Sequence, residues 1–101
     1  MSMTLKESQK KYLRGLGHKL KPMITVGDNG LSEPLLAEYE STLAHHELIK
    51  VKVRVADRGT RDAIIRTLCS GGSAELVQRI GNVALLYREN PEDHKIRVPK
   101  A

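Results

Sequence analysis

The chain has no phenylalanine and no tryptophan, and only three tyrosines in 101 residues. We expect all three tyrosines to be structural, which argues against gripping single strands by stacking bases on aromatic platforms. A lone cysteine, Cys69, excludes an internal disulfide and any multi-cysteine zinc site. No apolar run approaches the roughly 18 residues that suggest a membrane span. The opening Met1-Ser2-Met3-Thr4-Leu5-Lys6-Glu7 has no apolar stretch behind a basic start. No secretory leader is therefore expected, and the expected location is the cytoplasm. Missing too are a Gly-x-Ser-x-Gly elbow, a phosphate-loop lysine motif and His-Glu-x-x-His. We expect no enzyme, no cofactor, no metal and no small-molecule substrate.

What is present is charge. Lysine and arginine number 17 against 12 aspartates and glutamates, for a net +5. Such a balance in a small domain invites an anionic partner such as nucleic acid. It is unevenly spread. Residues 1–30 carry a net +4, residues 31–47 have four glutamates and no lysine or arginine, and residues 48–68 return to +4. A fold that joins the two basic segments would have a basic side and an acidic side.

The length fits one domain over 1–101, since two halves would be too small for separate cores. The expected core covers about 4–89. Residues 90–101, punctuated by Asn90-Pro91 and Pro99, read as a loose tail. Thr4-Leu5-Lys6-Glu7 fits a capping box, and Leu5, Tyr12, Leu13, Leu16 and Leu20 follow at helical spacing, predicting a first helix over about 5–19. Met23–Val26 reads as a short strand. Ser32 caps a second helix with Pro34 in its first turn and a stripe of Leu35, Leu36, Tyr39 and Leu43. Ile49, Val51, Val53 and Val55 alternate with Lys50, Lys52 and Arg54, predicting a strand with one apolar and one basic face. A third helix turns Ile64, Ile65, Leu68 and Cys69 inward and stops at Gly71-Gly72. Glu75–Ile80 and Val83–Arg88 form a hairpin about Gly81-Asn82. The fold class is α/β in the order α-β-α-β-α-β-β. It has a four-stranded mixed sheet whose crossover strands are parallel and whose final hairpin makes one antiparallel pair.

Three features are candidates for binding. The Gly27-Asp28-Asn29-Gly30 loop joins a strand to a helix start, where glycine lets another backbone approach and unpaired N–H groups suit a phosphate. It also fits a plain tight turn. Parallel pairing would bring the loop after the second strand to the same end, placing Arg58 and Arg61 beside it. On a helical wheel Lys6, Lys10, Lys11, Arg14, His18 and, if the helix reaches it, Lys21 share an arc of about 140°. His45-His46-Glu47 lies near a helix end, where histidine meets the dipole and adjacent rings diverge, so no metal is expected. Glu38 and Glu47 are expected to solvate the second helix.

These residues resemble the CRM (chloroplast RNA splicing and ribosome maturation) family, in its single-domain bacterial YhbY-type form, from about Leu5 to Pro99. The resemblance is carried by Gln9-Lys10-Lys11-Tyr12-Leu13-Arg14-Gly15-Leu16, Val26-Gly27-Asp28-Asn29-Gly30-Leu31, His45-His46-Glu47-Leu48-Ile49-Lys50-Val51-Lys52-Val53 and Ile80-Gly81-Asn82-Val83-Ala84-Leu85-Leu86-Tyr87-Arg88. It implies a KH-like Gly-x-x-Gly loop and a fold similar to the C-terminal domain of translation initiation factor three. It implies RNA binding without catalysis, and bacterial members associate with precursors of the large (50S) ribosomal subunit. By position, the resemblance implies Gly27, Asp28, Asn29, Gly30 and the basic helix face as the RNA-contacting candidates. We therefore expect a monomeric factor that docks structured rRNA during large-subunit assembly. The alternatives are a protein-interaction module using the acidic second helix, or a constitutive ribosomal protein.

Overall fold

A computed structural model describes residues 5–99. The elements are α1 (Glu7–Gly17), β1 (Ile24–Val26), α2 (Glu33–His46), β2 (Leu48–Val53), α3 (Arg58–Gly71), β3 (Glu75–Ile80) and β4 (Val83–Tyr87). The expected order and mixed sheet are present. The strand order is β1-β2-β4-β3. β1 pairs with β2 in parallel, while β4 is antiparallel to both β2 and β3. There are thus two antiparallel pairs rather than the one expected, because β4 inserts between β2 and β3. Composition explains the insertion. Val83-Ala84-Leu85-Leu86-Tyr87 is apolar throughout and suits a centre strand covered on both faces. β3 carries Gln78 and Arg79 and tolerates the edge.

Alternation along β2 and β4 sends side chains to two cores. On one face Ile49, Val51, Val53, Ala84 and Leu86 pack with Tyr39 and Leu43 of α2 and Ile64, Ile65 and Leu68 of α3. On the other, Leu48, Val77, Leu85 and Tyr87 pack with Leu5 and with Leu13 of α1. Val55, expected in the strand, lies beyond it and is half-buried. No helix among the described residues is long and apolar enough to cross a membrane.

The start of α1 differs from expectation. Thr4 lies outside the described residues, and the cap is Lys6, whose N–H donates to Gln9 Oε1 at 2.9 Å. The buried stripe is Gln9, Leu13 and Gly17, while Tyr12 and Leu16 are 42% and 39% exposed. Both stand 60–100° to one side of Leu13 on the wheel, off the contact line. Gly17 sets that line, since a Cβ there would lie 2.6 Å from Leu85 Cδ2. The helix therefore rests directly on the sheet at this point. Leu36 of α2 is likewise largely exposed.

The tail is also different. Residues 90–99 contain no helix or strand, yet Ile96 and Val98 pack on the α1-side core. Gln9 Nε2 donates to the Pro99 carbonyl at 2.9 Å. The anchor is Glu47, which does not solvate α2 but is fully buried. It leaves the helix with φ 64°, and its carboxylate accepts the N–H groups of Asn90, Lys95 and Ile96 at 2.6, 2.6 and 2.8 Å.

Candidate nucleic-acid interface

The three parallel-running strands β1, β2 and β3 end at the same edge of the sheet, so the segments that follow them gather there. The main chain ties them together: Arg54 N–H donates to the Val26 carbonyl and Val53 N–H to the Asn82 carbonyl, both at 2.7 Å.

After β1 comes the glycine loop. Gly30 N–H closes a turn onto the Gly27 carbonyl at 3.0 Å, and Gly30 has φ +71°, where a side chain would be strained. Gly27, Asp28 and Asn29 are exposed, and nothing lies within 4 Å of a Cβ built at Gly27 or Gly30. The loop is open to a partner backbone. The helix end behind it is partly furnished already. Ser32 Oγ accepts Leu35 N–H at 3.3 Å, and Glu33 sits in the first turn, where its charge complements the dipole.

After β2 comes the start of α3. Asp57 caps it, accepting the Thr60 N–H and hydroxyl, each at 2.8 Å. These bonds hold its carboxyl below the usual range. The first turn has no acidic residue and contains Arg58. Arg58 is exposed and Arg61 half-buried. The structure joins both to Arg79 and Gly81, around a cavity of about 420 Å³. The glycine-loop residues are not among those lining it. Arg79 explains the shift in company. It sits on β3's α3-facing side, pairs with Asp62, and donates from Nε to the Gly81 carbonyl at 3.3 Å. The Arg79 hydrogen bond also lowers the Asp62 pKa. Sequence reading did not find Arg79, because its partner is 17 residues away on another element.

The α1 face lies on the opposite side of the sheet from α2 and α3. Lys6, Lys11 and His18 are exposed, and Lys10 and Arg14 are half-buried. The helix ends at Gly17 rather than near residue 19, so Lys21, though exposed, lies in the loop beyond it and is not part of its face. Arg14 reaches Glu7 at 3.4 Å. Alternation puts Lys50 and Lys52 on this same sheet face, and a cavity of about 210 Å³ joins His18 and Lys50 to Gln78, Ile80, Val83 and Leu85. Tyr12 was expected to be structural but is available at the surface, while Tyr39 and Tyr87 are buried. The signal for this was present: Gln9 and Gly17 share Leu13's side of the wheel and exclude Tyr12 from it.

The acidic helix is less acidic outside than its sequence suggests. Glu47 is buried, and Glu40 pairs with Arg88 at 2.8 Å. Glu33 and Glu38 remain exposed. His45 and His46 pack edge to face with centroids 4.7 Å apart. Cys69 is half-buried against the core, and burial pushes its thiol pKa up.

Comparison with known proteins gives a consistent picture. The family profile described as the CRS1 / YhbY (CRM) domain matches residues 5–88. The chain is 48% identical over 93 residues to a Pseudomonas aeruginosa protein named a probable RNA-binding protein, spanning 92% of this chain and 89% of that one. It is also 48% identical over 97 residues to an RNA-binding protein of Haemophilus influenzae, spanning 96% and 97% of the two chains. The solution structure of a Staphylococcus aureus protein, described as a candidate RNA-binding protein, superposes with a TM-score of 0.79 at 35% identity. That match covers 95% of this chain and all of the other.

Proposed function

The chain belongs to the CRS1 / YhbY (CRM) domain family, and from that premise we propose that it is an RNA-binding protein. Its relatives' names support this at the level of RNA. The finer reading is ours. The protein docks structured rRNA and acts in the cytoplasm as a monomeric accessory factor in assembly of the large ribosomal subunit. The observation that carries the reading is the α1 side of the molecule. Lys6, Lys11 and His18 stand exposed there, over a sheet face bearing Lys50 and Lys52.

In this mechanism the lysines contact phosphates and release counterions, which supplies affinity and orientation. The glycine loop admits the RNA backbone close to its own N–H groups. No bond is made or broken. A duplex is recognised by its phosphates and hydroxyls rather than by base stacking, which suits the shortage of aromatics.

The test is a density gradient of cell extract, probed for this protein with and without nuclease. The expected peak lies on large-subunit precursors, is absent from mature ribosomes and is lost after nuclease. A peak that remains on mature subunits in high salt would instead indicate a constitutive ribosomal protein. A peak only at the top would remove the ribosomal assignment.

A further inference from the structure

The cavity formed by Arg58, Arg61, Arg79 and Gly81 lies on the α3 side of the sheet, away from the α1 face. Its chemistry is that of an anion site. The charged groups lining it are Arg58, Arg61 and Arg79, with Asp57 and Asp62 beside them. Three cations thus meet two carboxylates, and both carboxylates are engaged. Asp57 caps the helix through Thr60, and Asp62 holds Arg79. Among the described residues neither Arg58 nor Arg61 has a carboxylate within ion-pair distance.

Two further observations point the same way. The Nε of Arg61 is shielded from water and has no hydrogen-bond partner among the described residues. Buried N–H groups are ordinarily paired, so the hydrogen bonding of the Arg61 guanidinium is incomplete among the described residues. The opening turn of α3 also places guanidinium charge where the helix dipole is positive, a self-opposing arrangement that an external anion relieves. Arg79 is held in place at its Nε by the Gly81 carbonyl and at Nη1 by Asp62. The guanidinium is therefore already oriented, and guanidinium groups match phosphate oxygens in paired fashion.

We infer that this cavity is a phosphate site that takes one backbone phosphate of the bound RNA. The inference rests on the RNA-binding reading and adds a contact on the α3 side. The RNA then follows the edge where β1, β2 and β3 end, from the α1 face past the glycine loop to the arginines.

The test uses the whole chain with two probes, a labelled hairpin of large-subunit rRNA and inorganic phosphate. Arg58→Gln with Arg61→Gln leaves the Arg79–Asp62 pair in place. The expected result is an RNA affinity about tenfold lower and a log-affinity against log-salt slope flatter by about one. Inorganic phosphate should move the amide resonances of Gly59, Thr60 and Gly81 in the wild type and not in the variant. Arg58→Glu is the second variant. It removes the opposition to the dipole, so its melting temperature should hold or rise by about 2 °C while RNA affinity falls. Unchanged RNA affinity and slope in the folded double variant would overturn the inference. Phosphate-induced shifts combined with unchanged RNA affinity would also overturn it, and would assign the cavity to free phosphate. A wild-type chain that binds no RNA would overturn both this site and the reading beneath it.

Discussion

Glu47 is the residue whose role differs most from its appearance in the sequence. It stands between two histidines and a strand, and reads as one more surface carboxylate on an acidic helix. In the fold it is fully buried and accepts three backbone N–H groups from residues 43 to 49 positions away. No local pattern reports partners at that distance, so the sequence could not show it. Removing the carboxylate would leave three donors facing an apolar interior. Glu47→Ala should cost about 3 kcal/mol in urea unfolding. It should also release the tail, seen as faster tryptic cleavage after Lys95 and Arg97. Unchanged cleavage and stability would mean the tail is held by Ile96 and Val98 alone. The buried tyrosines give a second prediction at this scale. Burial raises the Tyr87 pKa to about 12, and it raises that of Tyr39 further. The folded state therefore holds these protons more tightly than the unfolded chain, whose tyrosines titrate near about 10. Stability from this source is intact below about pH 10 and is lost as pH rises towards 12 and beyond. Tyrosinate absorbance from both residues should appear together with unfolding, followed by circular dichroism. Full ionisation of the folded protein near pH 10 would contradict the burial.

Among the elements, those with a clean period were legible. Val51 and Val53 alternating with Lys50 and Lys52 mark β2, and Gly81-Asn82 marks the hairpin. The Ser32 cap with Pro34 marks the start of α2. The central place of β4 was not legible, because strand order depends on which apolar run is covered twice. Nor was the seat of α1. Leucine spacing pointed to Leu16, whereas the helix turns towards Gly17, whose missing side chain allows the closest approach to Leu85. Gly17→Val would force that contact apart. We expect a loss of about 1–3 kcal/mol in denaturant unfolding, the usual range for overpacking a filled core. The displaced helix should also carry its lysines out of register, weakening RNA binding beyond the change expected from stability alone. A Gly17→Val protein of normal stability would show that Leu85 can move aside, and that the helix does not depend on this contact.

For the whole molecule, the segmentation of charge along the chain becomes only in part a separation in space. The basic α1 covers one side of the sheet, but the acidic α2 shares the other with the arginines of α3 and β3, so the expected basic and acidic sides do not separate cleanly. The second basic segment is split, since Lys50 and Lys52 face α1 while Arg58 and Arg61 open α3. Alternation in the strand predicts the first placement, but the second needs the path of the chain. The molecule measures 38 × 25 × 24 Å. The Debye length at physiological ionic strength is about 8 Å, so exposed charges on opposite sides act almost independently. This separates a specific face from general attraction to a net +5 chain. Lys6→Glu with Lys11→Glu lowers the net charge by four, and Glu33→Lys with Glu38→Lys raises it by four. If overall charge drove binding, the two pairs would change RNA affinity by similar factors in opposite directions. With α1 as the docking face, the first pair should weaken binding at least about tenfold and flatten the salt slope by about two. The second, of which only Glu33 stands near the glycine loop, should raise it by no more than about threefold. All four side chains are exposed, so melting temperatures should stay close to the wild type. Equal and opposite effects would remove α1 as a distinct interface and leave only non-specific attraction.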